Sequence, residues 1–178
     1  MRHGFLALTL LSLTLMPGCG GGGDTAPTPV ATPTPAPPQA RIQANGNGSL
    51  VLHPSLGSTF AIAMETPIRI QETAGGTADW NFARFSLFLN GAEIERGEIG
   101  SNTIRDAGVS RIDPNSDETV NVLFRFNSSD FNSVAITLGF GDVNRGGTFE
   151  VQVPFSSFSG IRVSTVPLFA AKDQISAQ

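Results

Sequence analysis

The sequence predicts an all-β fold of two antiparallel sheets packed face to face, and three observations carry that prediction. From about Arg41 onward, apolar and polar residues alternate at period two through one short segment after another. Turn-forming residues separate those segments, and no window of helical length shows a 3.6-residue period. The 178 residues are 40 % hydrophobic and 15 % charged, with 13 Phe and one Trp. That is enough apolar material for one packed core and too much for a wholly disordered chain. A small closed antiparallel barrel is the alternative arrangement of the same strands.

The elements follow in order. Phe60, Ile62, Met64, Ile68 and Ile70 share one frame, with Ala61, Ala63, Glu65, Arg69 and Gln71 in the other, which predicts a half-buried strand. Pro67 interrupts it and, lacking an N–H, belongs at an edge, a bulge or a switch between sheets. Thr73-Ala74-Gly75-Gly76 predicts a turn. The next strand holds Trp80 and Phe82, then Phe85, Leu87 and Leu89, with Phe88 on the other side. Its apolar frame slips by one, which predicts a bulge near Ala83-Arg84. Asn90-Gly91 predicts a type I′ hairpin leading into a strand at about 93–99. Residues 100–118 are polar and irregular, with one helical turn expected from a Ser101 cap through Asp106 to Gly108.

Three strands then read clearly: Val120-Val122-Phe124-Phe126, Val134-Ile136-Leu138-Phe140 and Phe149-Val151-Val153-Phe155. Their opposite faces carry Asn121 and Arg125, Ser133 and Thr137, and Glu150 and Gln152. One dry and one wet face is the pattern of antiparallel sheet. A last strand is expected over 161–166. The β-domain is therefore expected over 41–167, with 168–178 as a C-terminal tail. The number and spacing of its strands resemble an immunoglobulin-like or fibronectin-like sandwich, to which Trp80 would contribute a core residue. The stretch Ile70-Gln71-Glu72-Thr73-Ala74-Gly75 resembles exported β-sandwich proteins of no assigned function, and no activity carries over from it.

The amino terminus reads as an address. Met1-Arg2-His3 is a basic start, and Gly4 to Met16 is an apolar run too short to span a bilayer but long enough for a secretory signal. Pro17-Gly18-Cys19 breaks it. A small residue directly before Cys at the end of such a run resembles the lipobox of bacterial lipoproteins. Met16 and Pro17 stand where that motif usually has Leu and Ala, Ser or Thr. The resemblance implies removal of residues 1–18, diacylglycerol transfer to the Cys19 sulfur, and acylation of the new amino terminus by a fatty acid such as palmitate. It further implies anchoring in a membrane, the outer one where the host has two, because Gly20 and not Asp follows the Cys. Secretion through an ordinary signal peptide is the alternative.

Residues 19–40 then predict a lipidated Cys followed by a disordered tether. Gly20 to Gly23 is flexible, and prolines at 27, 29, 33, 35, 37 and 38 favour extended polyproline II. Such a tether reaches up to about 60 Å.

Little catalytic chemistry is available. The formal net charge of −4 disfavours nucleic acid as a partner, and the lone Cys excludes a disulfide framework or a multi-Cys zinc site. Once the leader is removed, His53 is the only imidazole, and it reads as a surface-loop residue. No phosphate loop, dinucleotide fingerprint or zinc-protease motif occurs. Glu93, Glu95 and Glu98 read as a solvated strand face that discourages edge pairing. Asp113, Asp117 and Glu118 read as a solvated loop.

Asp142-Val143-Asn144-Arg145-Gly146-Gly147 partly matches a calcium loop, so Asp142 and Asn144 are the metal candidates. Gly146 in place of an oxygen ligand and the cation of Arg145 favour a hairpin turn instead, and no cofactor is expected. The expected function is a non-catalytic immunoglobulin-like module, held on a bilayer through Cys19, that binds a protein or glycan of the cell envelope. Loops 100–118 and 127–132 are the places to look for contacts. A purely structural envelope protein and a carboxylate-based glycosidase are the alternatives.

Overall fold

The structure, a computed structural model, describes residues 33–155, 158–168 and 175–176. The leader, Cys19 and most of the tether lie outside the described residues. The alternating segments form strands β1 (Ile42–Gly46), β2 (Gly48–Pro54), β3 (Ile62–Glu72), β4 (Ala78–Leu89) and β5 (Ala92–Gly100). Helix α1 (Ser101–Asp106) and β6 (Arg111–Ile112) come next, then β7 (Asp117–Phe126), β8 (Ser133–Asp142), β9 (Thr148–Val153), β10 (Phe158–Val163) and β11 (Ile175–Ser176).

One sheet has the order β10-β2-β3-β7-β11, with β1 also paired to β3; the other has the order β5-β4-β8-β9, with β6 on β4. Among the described residues no ladder joins the two sheets, so the arrangement is the two-sheet sandwich and not the closed barrel. β3 lies beside β7 in one sheet, and β5, β4, β8 and β9 lie side by side in the facing sheet.

The interior ladders are antiparallel. Two additions are not. β10 runs parallel to β2, and β11 runs parallel to β7. Face alternation is blind to strand direction, which is why the sequence did not indicate these pairings. Residues 168–178 are also not wholly a tail, since Leu168 bridges Ser55 and β11 joins the sheet.

Both termini of each long strand fall at one of two ends of the sandwich. The entry end, where the chain runs into β1, holds Glu72, α1 and the turn 143–147. The far end holds the β2–β3 loop, the Asn90-Gly91 hairpin and residues 127–132. Expected contact loops 100–118 and 127–132 therefore lie at opposite ends.

The core is aromatic. Trp80, Phe85, Phe124, Phe126 and Phe140 are fully buried, with Phe85 5.1 Å from Phe124 and 5.5 Å from Phe126 between ring centres. Trp80 stacks near Phe140 at 6.2 Å and donates its indole N–H to the Phe82 carbonyl at 2.8 Å. That bond spans a bulge between Trp80 and Phe82, not near Ala83-Arg84, so Phe82 turns outward. There its ring covers Gly139, where a Cβ would stand 2.0 Å from it, and the Arg84 guanidinium stacks on it at 4.6 Å.

Pro67 lies inside β3, between β7 and the junction of β1 with β2. Its carbonyl accepts from the Asn47 N–H at 2.9 Å, so the side lacking an N–H faces the break in the ladder. Gly100, not Ser101, caps α1, and no side chain bonds to the helix start; Gly108 at φ 78° ends the turn as expected. Asn90 and Gly91 both have positive φ, 52° and 84°, as a type I′ turn demands.

The outer face of the β3–β7 sheet is not uniformly wet. Asn121 is exposed, but Ala63, Leu123 and Arg125 are buried there, and the sheet that covers its inner face cannot account for this. The fold yields a direct stability test. Val122→Asp places an unpaired carboxylate at a fully buried site, a cost of several kcal/mol against a total of about 5–15 kcal/mol. It should abolish the cooperative urea transition. Asn121→Asp should shift stability by no more than about 0.5 kcal/mol. Val151, only partly buried, should tolerate Asp better than Val122 does.

Candidate functional site

At the entry end, two carboxylates take up backbone donors. Glu72, 3 % exposed at the end of β3, accepts from the N–H groups of Arg41 (3.0 Å), Ala74 (2.9 Å), Gly75 (2.7 Å) and Asn115 (2.9 Å). Burial opposes its ionisation, but the four donors outweigh burial and hold its pKa at about 2. Gly76 lets the chain pass close, since a Cβ there would lie 2.4 Å from the Ala40 nitrogen. The stretch Ile70–Gly75 singled out in the sequence is thus the frame of this carboxylate.

Asp142, at the end of β8 in the other sheet, accepts from the N–H groups of Arg145 (3.0 Å), Asn144 (2.9 Å) and Ala40 (3.1 Å). The Arg145 N–H is the main influence that lowers its pKa; burial opposes it, and the Ala40 and Asn144 N–H groups add to the lowering. Consecutive N–H groups of residues 40 and 41 are therefore held by carboxylates of opposite sheets. Asn144 donates its side-chain amide to the Pro38 carbonyl at 3.0 Å, and Arg145 donates through Nε to the Pro37 carbonyl at 2.9 Å. The body thus begins before Arg41. Both metal candidates, Asp142 and Asn144, spend their polar groups on the hairpin and the incoming chain. Among the described residues no cluster of three or more His, Cys, Asp or Glu has the geometry of a metal site.

Glu95 repeats the device toward the far end. From β5 it accepts the N–H groups of Asn127 (3.0 Å) and Ser128 (2.7 Å), just beyond β7 of the facing sheet. It is not the solvated residue its strand position suggests. Burial opposes its ionisation, and the Ser128 hydroxyl with these N–H groups lowers its pKa despite that. Glu93 pairs with Arg96, and Glu98 with Arg84. Asp117 and Glu118 lie on β7 and not in a loop, with Asp117 bound by Arg69 and Gln71.

His53 lies on β2, not in a loop, with its side chain only 11 % exposed. Its Nδ1 donates to the Val166 carbonyl at 3.0 Å, and its Nε2 faces Glu65 at 3.6 Å, so the ring clips residues 164–168 onto the sheet. Ladder register sets Ala63 between His53 and the buried Arg125, whose pKa burial lowers. Alternation places Ala63 and Arg125 on a wet face. The tertiary path of the segment after β10, through Val166, covers His53. Beside His53, a cavity of about 350 Å³ is lined by Leu52, Pro54, Ala61, Ile62, Ser129, Val163 and Ser164. It is mostly apolar and of a size to take one large side chain or a small ligand.

No protein-family model matches the sequence, and no curated protein is significantly similar to it. Among the described residues no helix is long and apolar enough to cross a membrane.

The lowered pKa of Glu72 has a sign. Its contribution to stability is complete above about pH 4.5 and is lost as pH falls toward about 2, a total of about 3 kcal/mol. Urea unfolding of the Glu72→Gln variant should show a loss of roughly 2–4 kcal/mol at pH 7. The gap to the natural chain should narrow between pH 4.5 and pH 2. A pH-independent gap would assign Glu72 a role other than accepting these bonds.

Proposed function

We propose that this chain is an exported lipoprotein, anchored through Cys19, that displays a non-catalytic β-sandwich for binding a protein or glycan of the cell envelope. The observation that carries the reading is the joining of a lipobox-like leader and a Gly/Pro tether to a sandwich that commits Glu72, Glu95 and Asp142 to its own backbone. Glu72, Glu95 and Asp142 each have a lowered pKa. A glycosidase needs the opposite, one carboxyl with a raised pKa facing a second across a cleft. The far end supports display, because it lies away from the point where the tether enters and carries both loop 127–132 and the apolar cavity.

The test uses the full gene in a lipoprotein-processing bacterium, with and without Cys19→Ser. The natural chain should partition into detergent and yield an acylated N-terminal Cys19, whereas the variant should do neither. Immobilised natural protein should retain an envelope protein or glycan saturably. Turnover of a polysaccharide, abolished by changing one acid, would replace this reading with the glycosidase. A soluble natural product would remove the anchor.

A further inference from the structure

We propose that the outer edge of β10 binds an extended peptide segment of another exported protein by strand addition. An apolar side chain of the peptide would enter the far-end cavity, and a peptide carboxylate would lie beside Arg162. The proposal rests on the display reading above and specifies its ligand.

The backbone dictates the shape of the ligand. The Ser164 N–H bonds to the Leu52 carbonyl at 2.8 Å, so the polar groups of Arg162 and Ser164 face β2. Strand alternation then turns the N–H and C=O of Ile161 and Val163 toward the free edge. No strand pairs with that edge among the described residues. A row of backbone donors and acceptors is matched by another extended strand.

The side chains along this edge differ from those on the sandwich's other long edges. β5 carries Glu93, Arg96 and Glu98, and β9 carries Glu150, the charges that discourage pairing. β10 and its continuation instead expose Ile161, Val163 (79 %) and Val166 (66 %). Val163 also forms one wall of the cavity of about 350 Å³, so an apolar side chain of the added strand has a place to go.

Charge narrows the partner further. Arg162 is exposed and belongs to no ion pair among the described residues, whereas Arg69, Arg84, Arg96 and Arg111 each have a carboxylate. An acidic residue on the incoming strand completes it. A second copy fits less well, because antiparallel pairing of two β10 edges would bring two Arg162 side chains together across a short interface.

The experiment pans a random decapeptide display library against the full mature protein in detergent micelles. Enriched peptides should alternate apolar residues, carry Asp or Glu, and lack a central Pro. Val163→Pro removes an outward N–H while leaving the bonds to β2, and should weaken an enriched peptide at least tenfold. Arg162→Glu should reverse the preference, favouring the Lys version of that peptide over the acidic one. Thermal unfolding of both variants establishes that they fold. Absence of enrichment, or equal binding to all three proteins, would overturn the proposal. If both variants still retained the envelope ligand captured by the natural chain, the display reading would stand while the β10 edge would be excluded. If the natural chain captured no ligand, the display reading itself would fail.

Discussion

Two buried carboxylates hold the entry end of this sandwich together. Glu72 belongs to one sheet and Asp142 to the other, and they bind the adjacent N–H groups of Arg41 and Ala40. The incoming chain is thereby fixed to both sheets before β1 begins. Each carboxylate also organises its own surroundings, Glu72 the turn 73–76 and the loop at Asn115, Asp142 the β8–β9 hairpin. A buried carboxylate is costly unless its lone pairs are filled, and here backbone donors fill them. With no second Cys available, the two sheets have no disulfide between them. Carboxylate-to-backbone bonds serve in its place, with Glu95 providing the corresponding link nearer the far end.

This use of acids shapes the functional reading. The acidic side chains that a sequence survey offers as catalytic or metal-binding are largely spent on structure. At the entry end Arg145 and Asn144 grip the last prolines of the tether, beside a cavity of about 710 Å³ lined by Arg41, Asp142, Arg145 and Glu150 among others. The far end has an apolar cavity and an edge strand that carries exposed valines, and its Glu93 and Arg96 pair with each other. Under the proposed display reading, loop 127–132, although Glu95 holds its first two N–H groups, is a better candidate than 100–118. The latter carries α1 and β6, and its Ile104 and Ile112 close the core.

Much of the fold is legible in the sequence because alternation and turn chemistry are local. Val120–Phe126 and Val134–Phe140 declare their buried faces, and Asn90-Gly91 declares its turn by the φ values it alone tolerates. Features that depend on distant segments are not legible. The bulge shows as a slipped frame, but its place was settled by the indole bond of Trp80 and by the room Gly139 leaves for Phe82. Glu72 looks like any strand-end acid until Arg41 and Asn115 arrive beside it. His53 reads as a loop residue because its position gives no sign of the later chain at Val166 that bonds to its ring, and Arg125 looks exposed because alternation alone does not record its burial. The parallel pairings of β10 and β11 escape for the same reason.

The most direct measurement of the central claim is amide hydrogen exchange at Ala40 and Arg41, followed by NMR in the full mature chain. Both N–H groups should exchange as slowly as those of β3, because each is buried against a carboxylate. Asp142→Asn should release Ala40 selectively, leaving Arg41 held by Glu72. Exchange of both amides at the rate of an open coil would contradict the clasp and move the start of the folded body to β1.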